Sequence, residues 1–200
     1  MRTGILGGTF NPVHNGHIAV AKAAYDQLKL DEILIMPSGI PPHKEDVISS
    51  EDRINMVRLA VKGYPYMTVS DYEIIRAGTT YTAETLTMLT DTNPDTDYHF
   101  IVGADSLVNM LSWYHPEVIF RLAHIAVCKR SDTDEQKLRE CIIKLTDEYS
   151  AHIDILELEY VDISSHEIRD NIYKPHSDKV IQYIEPEVFK YIKEHGLYKE

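Results

Sequence analysis

The sequence predicts an α/β fold, Rossmann-like and doubly wound. It should have a mainly parallel sheet, helices on both faces and a small C-terminal helical appendage. Three observations predict this. A short apolar run, Ile5-Leu6, leads through Gly7, Gly8 and Pro12 into residues 16–28, where Ile18, Ala21, Tyr25 and Leu28 recur at helical steps of three and four. A second apolar run, Glu32-Ile-Leu-Ile-Met36, stops at Pro37, so strand, helix and strand follow at the spacing of a right-handed βαβ unit. Further short apolar runs then alternate with helical segments along the chain.

The totals bound the function. With 200 residues, 44% of them hydrophobic and 26% charged, one domain over 1–200 is expected, its C-terminal helical subregion beginning near residue 164. No apolar run reaches bilayer length, and the first strand starts too early to leave room for a signal peptide; cytoplasm is the expected location and a membrane partner is not. A net charge of −12 argues against a nucleic-acid polymer as partner, because such binding rests on many Lys and Arg contacts to phosphate. It leaves a small phosphorylated substrate open, since a pocket's local charge can oppose the global one. Cys128 and Cys141 read as reduced thiols, and no repeat, low-complexity tract or linker interrupts the chain.

In the first βαβ unit, strand, glycine turn and helix mouth form an arrangement that binds anions through free backbone N–H groups and the positive helix end. His14 and His17 stand at that mouth, and Gly7 and Gly8 let the backbone approach a ligand. Neither G-x-x-x-x-G-K-[ST] nor G-x-G-x-x-G is present, so imidazoles and amides would replace a P-loop lysine. A glycine turn with two surface histidines is the plain alternative. Pro37 to Asp46 is a breaker-rich loop leaving a strand's carboxyl end, where His43 and Lys44 could reach a phosphate or simply stay solvated.

Ser49-x-x-Asp52 caps a helix carrying Ile54, Val57 and Val61, and Tyr66–Val69 is a strand. Thr79, Thr80 and Thr82 precede a helix with Leu86 and Leu89, as caps or as ligand contacts. Tyr98–Val102 is a strand followed by Gly103-Ala104-Asp105, where Asp105 could cap a helix or face a ribose. Trp113 is either core or a half-exposed stacking surface. His124–Cys128 is a strand ending at Lys129-Arg130. Thr133-x-x-Gln136 is expected to cap a helix with Leu138, Ile142, Leu145 and Tyr149, ahead of a last strand at Ile153–Leu156. Ser164 and Ser165 open another helix with Arg169 one turn in, a second anion-binding corner. A helix started by Pro186 closes the chain near Gly196.

The run Gly-Gly-Thr-Phe-Asn-Pro-Val-His14-Asn-Gly16-His17 resembles the H-x-G-H signature of the nucleotidyltransferase superfamily, and more narrowly the bacterial nicotinate-mononucleotide adenylyltransferases. The resemblance spans residues 3–198 in six segments, among them Pro-Pro-His-Lys44, Thr-Tyr-Thr82, Gly103-Ala-Asp105, Trp113-Tyr114 and Ile-Ser164-Ser165-His-Glu-Ile-Arg169. It implies transfer of the adenylyl group of ATP to nicotinate mononucleotide, with Mg²⁺ arriving on ATP rather than in a protein cage. By resemblance His14, His17, Lys44 and Arg169 are catalytic. Gly7, Gly8, Thr9, Phe10, Gly16, Gly103, Asp105, Arg130, Ser164 and Ser165 bind ATP, and Thr82, Trp113 and Tyr114 hold the pyridine nucleotide.

The chain departs from the family pattern at Asn11, usually Asp, at His166, usually Thr, and at Ser131. No protein metal ligands are expected near the motif. The same chemistry on nicotinamide mononucleotide or another phosphorylated acceptor is the nearest rival, and a non-catalytic nucleotide sensor a more distant one. A homo-oligomer is compatible with the sequence, which does not fix the assembly. One spatial condition governs all of this: the N-terminal imidazoles and the Ser164–Arg169 corner must meet.

Overall fold

The computed structural model describes residues 1–39, 47–76, 79–129, 133–158 and 161–199. Six parallel strands form one sheet in the order β3-β2-β1-β4-β5-β6. They are β1 (Arg2–Gly8), β2 (Glu32–Pro37), β3 (Met67–Val69), β4 (Asp97–Gly103), β5 (His124–Cys128) and β6 (Ile153–Leu156). All six were legible as apolar runs because a parallel strand covered on both faces has little room for polar side chains. Strand order reverses between β1 and β4, and in open α/β sheets such a switch point opens a crevice beyond the strands' carboxyl ends.

The longer helices are α1 (Asn15–Leu28), α2 (Ser50–Val61), α4 (Thr82–Thr92) and α7 (Glu135–Tyr149). Shorter ones are α3 (Tyr72–Ile75), α5 (Ala104–Asn109), α6 (Pro116–Leu122), α8 (Ser165–Asn171), α9 (Asp178–Ile181) and α10 (Pro186–Glu194). Alternation along the strands divides the core in two. Leu6, Ile33, Ile101 and Ala126 face α1, α2 and the C-terminal helices, while Ile5, Phe100, Val102 and Val127 face α4 to α7.

The C-terminal helices belong to the first of these layers. Ile168, Ile172, Val188 and Ile192 are fully buried in the same cluster as Ala21 and Val57. Tyr191 Oη donates to Asp52 Oδ1 at 2.9 Å, tying α10 to the start of α2.

Two expectations about caps are corrected. The helix after β5 is capped by Asp134, whose carboxylate accepts from Lys137 N at 3.0 Å, and not by Thr133; a carboxylate also interacts favourably with the helix dipole there. Gly103, not Asp105, occupies the N-cap of α5. The one-turn helix α3 and the short α6 are not among the sequence expectations, because a segment of four to seven residues is too short to show a 3.6-residue period.

Close backbone packing next to the crevice sets one testable constraint. A Cβ on buried Gly39 would overlap the backbone oxygen of Glu73, which has no flexible end to yield. Gly39→Ala should therefore destabilise the fold by about 1–3 kcal/mol, the usual range for overpacking. The reference is Gly63→Ala, where the added Cβ meets nothing within 4 Å. Urea unfolding midpoints of the two variants check it, and equal midpoints would refute it.

Candidate active site

A cavity of about 860 Å³ opens at the switch point. Its walls include Gly7–Asn11 from the β1 exit, His14, Gly16 and His17 from the start of α1, and Gly103 beyond β4. Thr80, Thr82, Thr85 and Trp113 line one side, and Ser164, Ser165, His166 and Arg169 another.

His14 is the N-cap of α1, with extended backbone at φ −149° and ψ 170°. Its backbone N–H donates to His17 Nδ1 at 3.2 Å, so His17 takes the place that Glu or Gln fills in a capping box. Because Nδ1 accepts, neutral His17 carries its proton on Nε2. The two imidazoles lie 3.8 Å apart between centroids, and Phe10 meets His17 edge-on at 5.0 Å. Phe10 is buried with φ +50°, a strained setting for a residue with a side chain. The glycine between the histidines has a steric reason, since a Cβ on Gly16 would press to 3.0 Å on the His14 ring.

The far corner closes on this loop. Ser165 Oγ donates to the Pro12 carbonyl at 2.8 Å, and Arg169 Nη1 to the Asn11 carbonyl at 2.7 Å. Ser164 caps α8 by accepting from Glu167 N at 3.1 Å. The spatial condition set by the sequence is thereby met across more than 150 residues. Asn11 is itself buried, and its Oδ1 accepts from Tyr198 Oη at 3.0 Å, so the departure from Asp is accommodated by a hydrogen bond from the last residues of the chain. Burial pushes the Tyr198 phenol well above the ordinary tyrosine range, keeping it a donor.

Arg53 went unnoticed in the sequence. It is 1% exposed, donates from Nη1 to the carbonyls of Thr9 (2.9 Å) and Ser38 (2.8 Å), and from Nη2 to that of Gly39 (2.8 Å). Burial pulls its pKa down, but a guanidinium remains charged in proteins. A fixed positive charge thus stands directly behind the glycine turn.

The other expected residues divide. Gly7, Gly8, Thr9, Phe10, Gly16, Gly103, Thr82 and Trp113 all line the cavity. A Cβ on Gly103 would meet no protein atom within 4 Å, so the space above it is open. Trp113 is half-buried and meets Phe100 edge-on at 6.3 Å, combining the core and pocket readings. Asp105 is exposed in the first turn of α5, and the cavity draws instead on its neighbours Gly103 and Ser106. Tyr114 is also outside the lining, 47% exposed and packed against Tyr81 at 4.5 Å. Lys44 and Arg130 lie outside the described residues.

Cys128 lines the cavity, and burial pushes its thiol up to about 12, which suppresses the reactive thiolate; both cysteines are free. Glu73 is the one acid among the described lining residues. Thr80 and Thr85 donate to its two carboxylate oxygens at 3.1 and 2.9 Å. A single carboxylate already occupied by two hydroxyls does not make an oxygen cage for Mg²⁺.

Comparison with known proteins agrees with this geometry. Residues 5–171 match the cytidylyltransferase-like family. A Lachnoclostridium phytofermentans protein named "probable nicotinate-nucleotide adenylyltransferase" is 40% identical over 200 residues, covering 98% of each chain. A Synechococcus protein of the same name is 41% identical over 98% of this chain and 94% of its own. The chain belongs to the cytidylyltransferase-like nucleotidyltransferases, in the family of the nicotinate-nucleotide adenylyltransferases. The fold is shared with the Plasmodium falciparum nicotinic acid mononucleotide adenylyltransferase complexed with NaAD, at a TM-score of 0.82 and 20% identity over 98% of this chain and 97% of that one. Among the described residues no helix is long and apolar enough to cross a membrane.

Glu73 yields a pH prediction. Burial raises its pKa, and the hydrogen bonds from Thr85 and Thr80 only partly oppose this. The native state then holds this proton to higher pH than the unfolded chain, whose value is near 4.5. Stability supplied by the protonated form is therefore lost as pH rises from about 4.5 through the native value. Glu73→Gln should flatten that limb of the melting temperature against pH, and an unchanged slope would show that Glu73 is not its source.

Proposed function

We propose that the chain transfers the adenylyl group of Mg-ATP to nicotinate mononucleotide, giving deamido-NAD and pyrophosphate, in the cytoplasm and as one domain over 1–200. The observation that supports it best is the pair of hydrogen bonds from Ser165 and Arg169 to the Pro12 and Asn11 carbonyls, which brings both anion-binding corners to one cavity.

In this reading the 5′-phosphate of nicotinate mononucleotide attacks the α-phosphorus of ATP in line, the bond to the bridging oxygen breaks, and Mg-pyrophosphate leaves. A phosphate nucleophile is already anionic at neutral pH, so neither a general base nor a covalent intermediate is needed. Catalysis is then positioning and charge stabilisation. The His17 Nε2–H donates to a phosphate oxygen as charge develops, and His14 supports it from the adjoining ring. The amides of Gly8, Thr9 and Phe10 and the helix α1 dipole complete the cradle, with Gly7 and Gly16 allowing close approach.

Ser164, Ser165 and Arg169 meet the leaving pyrophosphate, the unused N–H groups of the guanidinium facing it while Nη1 keeps the Asn11 carbonyl. Lys44 and Arg130 add charge by family resemblance, and Gly103 and Ser106 border the nucleoside. Thr82 and Trp113 border the pyridine ring, stacking being favourable for a flat electron-poor ring, while Tyr114 lies outside the lining. The metal enters as part of the nucleotide substrate.

His17→Ala tests the assignment. Loss of one donor to the developing charge typically costs on the order of a hundred- to thousandfold in turnover. Pyrophosphate release from Mg-ATP should fall by that much while circular dichroism and melting remain native-like, and near-normal turnover would refute the role. The assay run in parallel with nicotinate and nicotinamide mononucleotides identifies the acceptor.

A further inference from the structure

The amino-terminal end of two interior strands, β4 and β5, holds a cluster that adenylyl transfer does not use. Asp97 and His99 stand two residues apart on β4 and so share a face. His124 opens β5 and is the direct register partner of His99. Their ring centroids are 4.9 Å apart, which is the spacing of neighbouring strands. Asp97 offers one oxygen to each imidazole: Oδ2 lies 3.3 Å from His99 Nε2 and Oδ1 lies 3.6 Å from His124 Nε2. All three donor atoms fall within 4.8 Å of one another. Three β4 residues separate His99 from Gly103, and Asp97 lies two further back, roughly 20 Å of strand from the Gly103 mouth of the nucleotide cavity, whose wall reaches back along β4 to Phe100.

We propose that Asp97, His99 and His124 bind a divalent transition-metal ion of the zinc class, bracing β4 to β5 at their amino ends. Two imidazoles and one carboxylate are a borderline-soft donor set that suits such an ion and not Mg²⁺ or Ca²⁺. Tetrahedral donors about 2 Å from a zinc ion stand about 3.4 Å apart, so the three need to draw together by about 1 Å, with water in the fourth position. His99 is fully buried and presents Nε2 to the cluster, while its Nδ1 on the other side of the ring takes no part in it.

Arg2 shows that these atoms attract positive charge. Its Nη2 lies 3.4 Å from His99 Nε2 and its Nε 3.6 Å from Asp97 Oδ2. The Arg2 side chain is 44% exposed and can swing out to water, while its backbone N–H stays fixed to Asp31 Oδ2. Metal and guanidinium thus compete for the same two donors. His152 stacks on the far side of His124 at 4.8 Å and backs the site without supplying a ligand.

The test uses the full chain stripped of metal with a chelator, then titrated with zinc by calorimetry and with cobalt by absorption. One zinc per chain should bind, with the d–d bands of a tetrahedral cobalt centre. Asp97→Asn and His124→Ala, both at partly exposed positions and checked for native melting, should weaken binding at least tenfold. His152→Ala should leave it intact. Arg2→Ala should tighten it severalfold by removing the competing cation. The proposal is overturned if no saturable binding occurs up to about 100 μM zinc. It is equally overturned if binding survives both ligand variants, is lost in His152→Ala, or is indifferent to Arg2→Ala.

Discussion

Five carbonyl groups hold the site together. Those of Thr9, Ser38 and Gly39 are held by Arg53, that of Asn11 by Arg169 and that of Pro12 by Ser165. A trans peptide unit is planar, so a carbonyl fixed to one side sends the next N–H to the other. Tying the Thr9 oxygen to Arg53 therefore turns the Phe10 amide away from the protein's own charge. The loop keeps a conformation with Phe10 at positive φ because its acceptors are held from outside, by a helix after β2 and another after β6. Parts of the chain remote in sequence thus pre-form one anion cradle.

Arg53 is expensive to bury. Desolvating a guanidinium costs several kcal/mol, and among the described residues no carboxylate is a hydrogen-bond partner of Arg53. Three charge-assisted hydrogen bonds return about 1.5–3 kcal/mol each, so the balance is near neutral. A methionine of similar volume would avoid the desolvation cost but leave these three carbonyls without a donor. The guanidinium offers something else, a positive charge in low dielectric within one peptide of the place where phosphate charge is proposed to develop. That charge needs no reorganisation during the reaction, which is the condition under which electrostatics lowers a barrier.

What the sequence made legible follows from how each feature is encoded. Buried parallel strands are local, and all six could be read within about two residues of their ends except at the start of β1, which begins at Arg2, ahead of the apolar pair Ile5-Leu6. His14, His17, Ser164 and Arg169 were legible because each corner is a short contiguous motif, and resemblance joined the two. Arg53 was not. It follows Glu51 and Asp52 at the start of a helix, where an arginine ordinarily reads as a solvated partner of its acidic neighbours. Its burial is decided by the β1 and β2 loops folding over it. The Asp97–His99–His124 cluster was hidden for a related reason. Asp97 and His99 sit on one strand and His124 25 residues later on the next, and only the register of β4 on β5 sets them side by side.

The charge distribution explains how an acidic protein can suit polyphosphates. The chain carries −12 in all, yet the described cavity wall holds His14, His17, Lys129, His166 and Arg169 against the single acid Glu73. Glu73 itself sits on the threonine side, where burial raises its pKa and lowers its share of ionised form. Over a Debye length of about 8 Å in physiological salt, an approaching nucleotide responds to this wall and not to the distant surface acids. The negative exterior then has a use: it disfavours long polyanions, whose many phosphates cannot all be inside the cavity. A short polyphosphate fits entirely within the basic crevice, so discrimination between the two follows from size and field together.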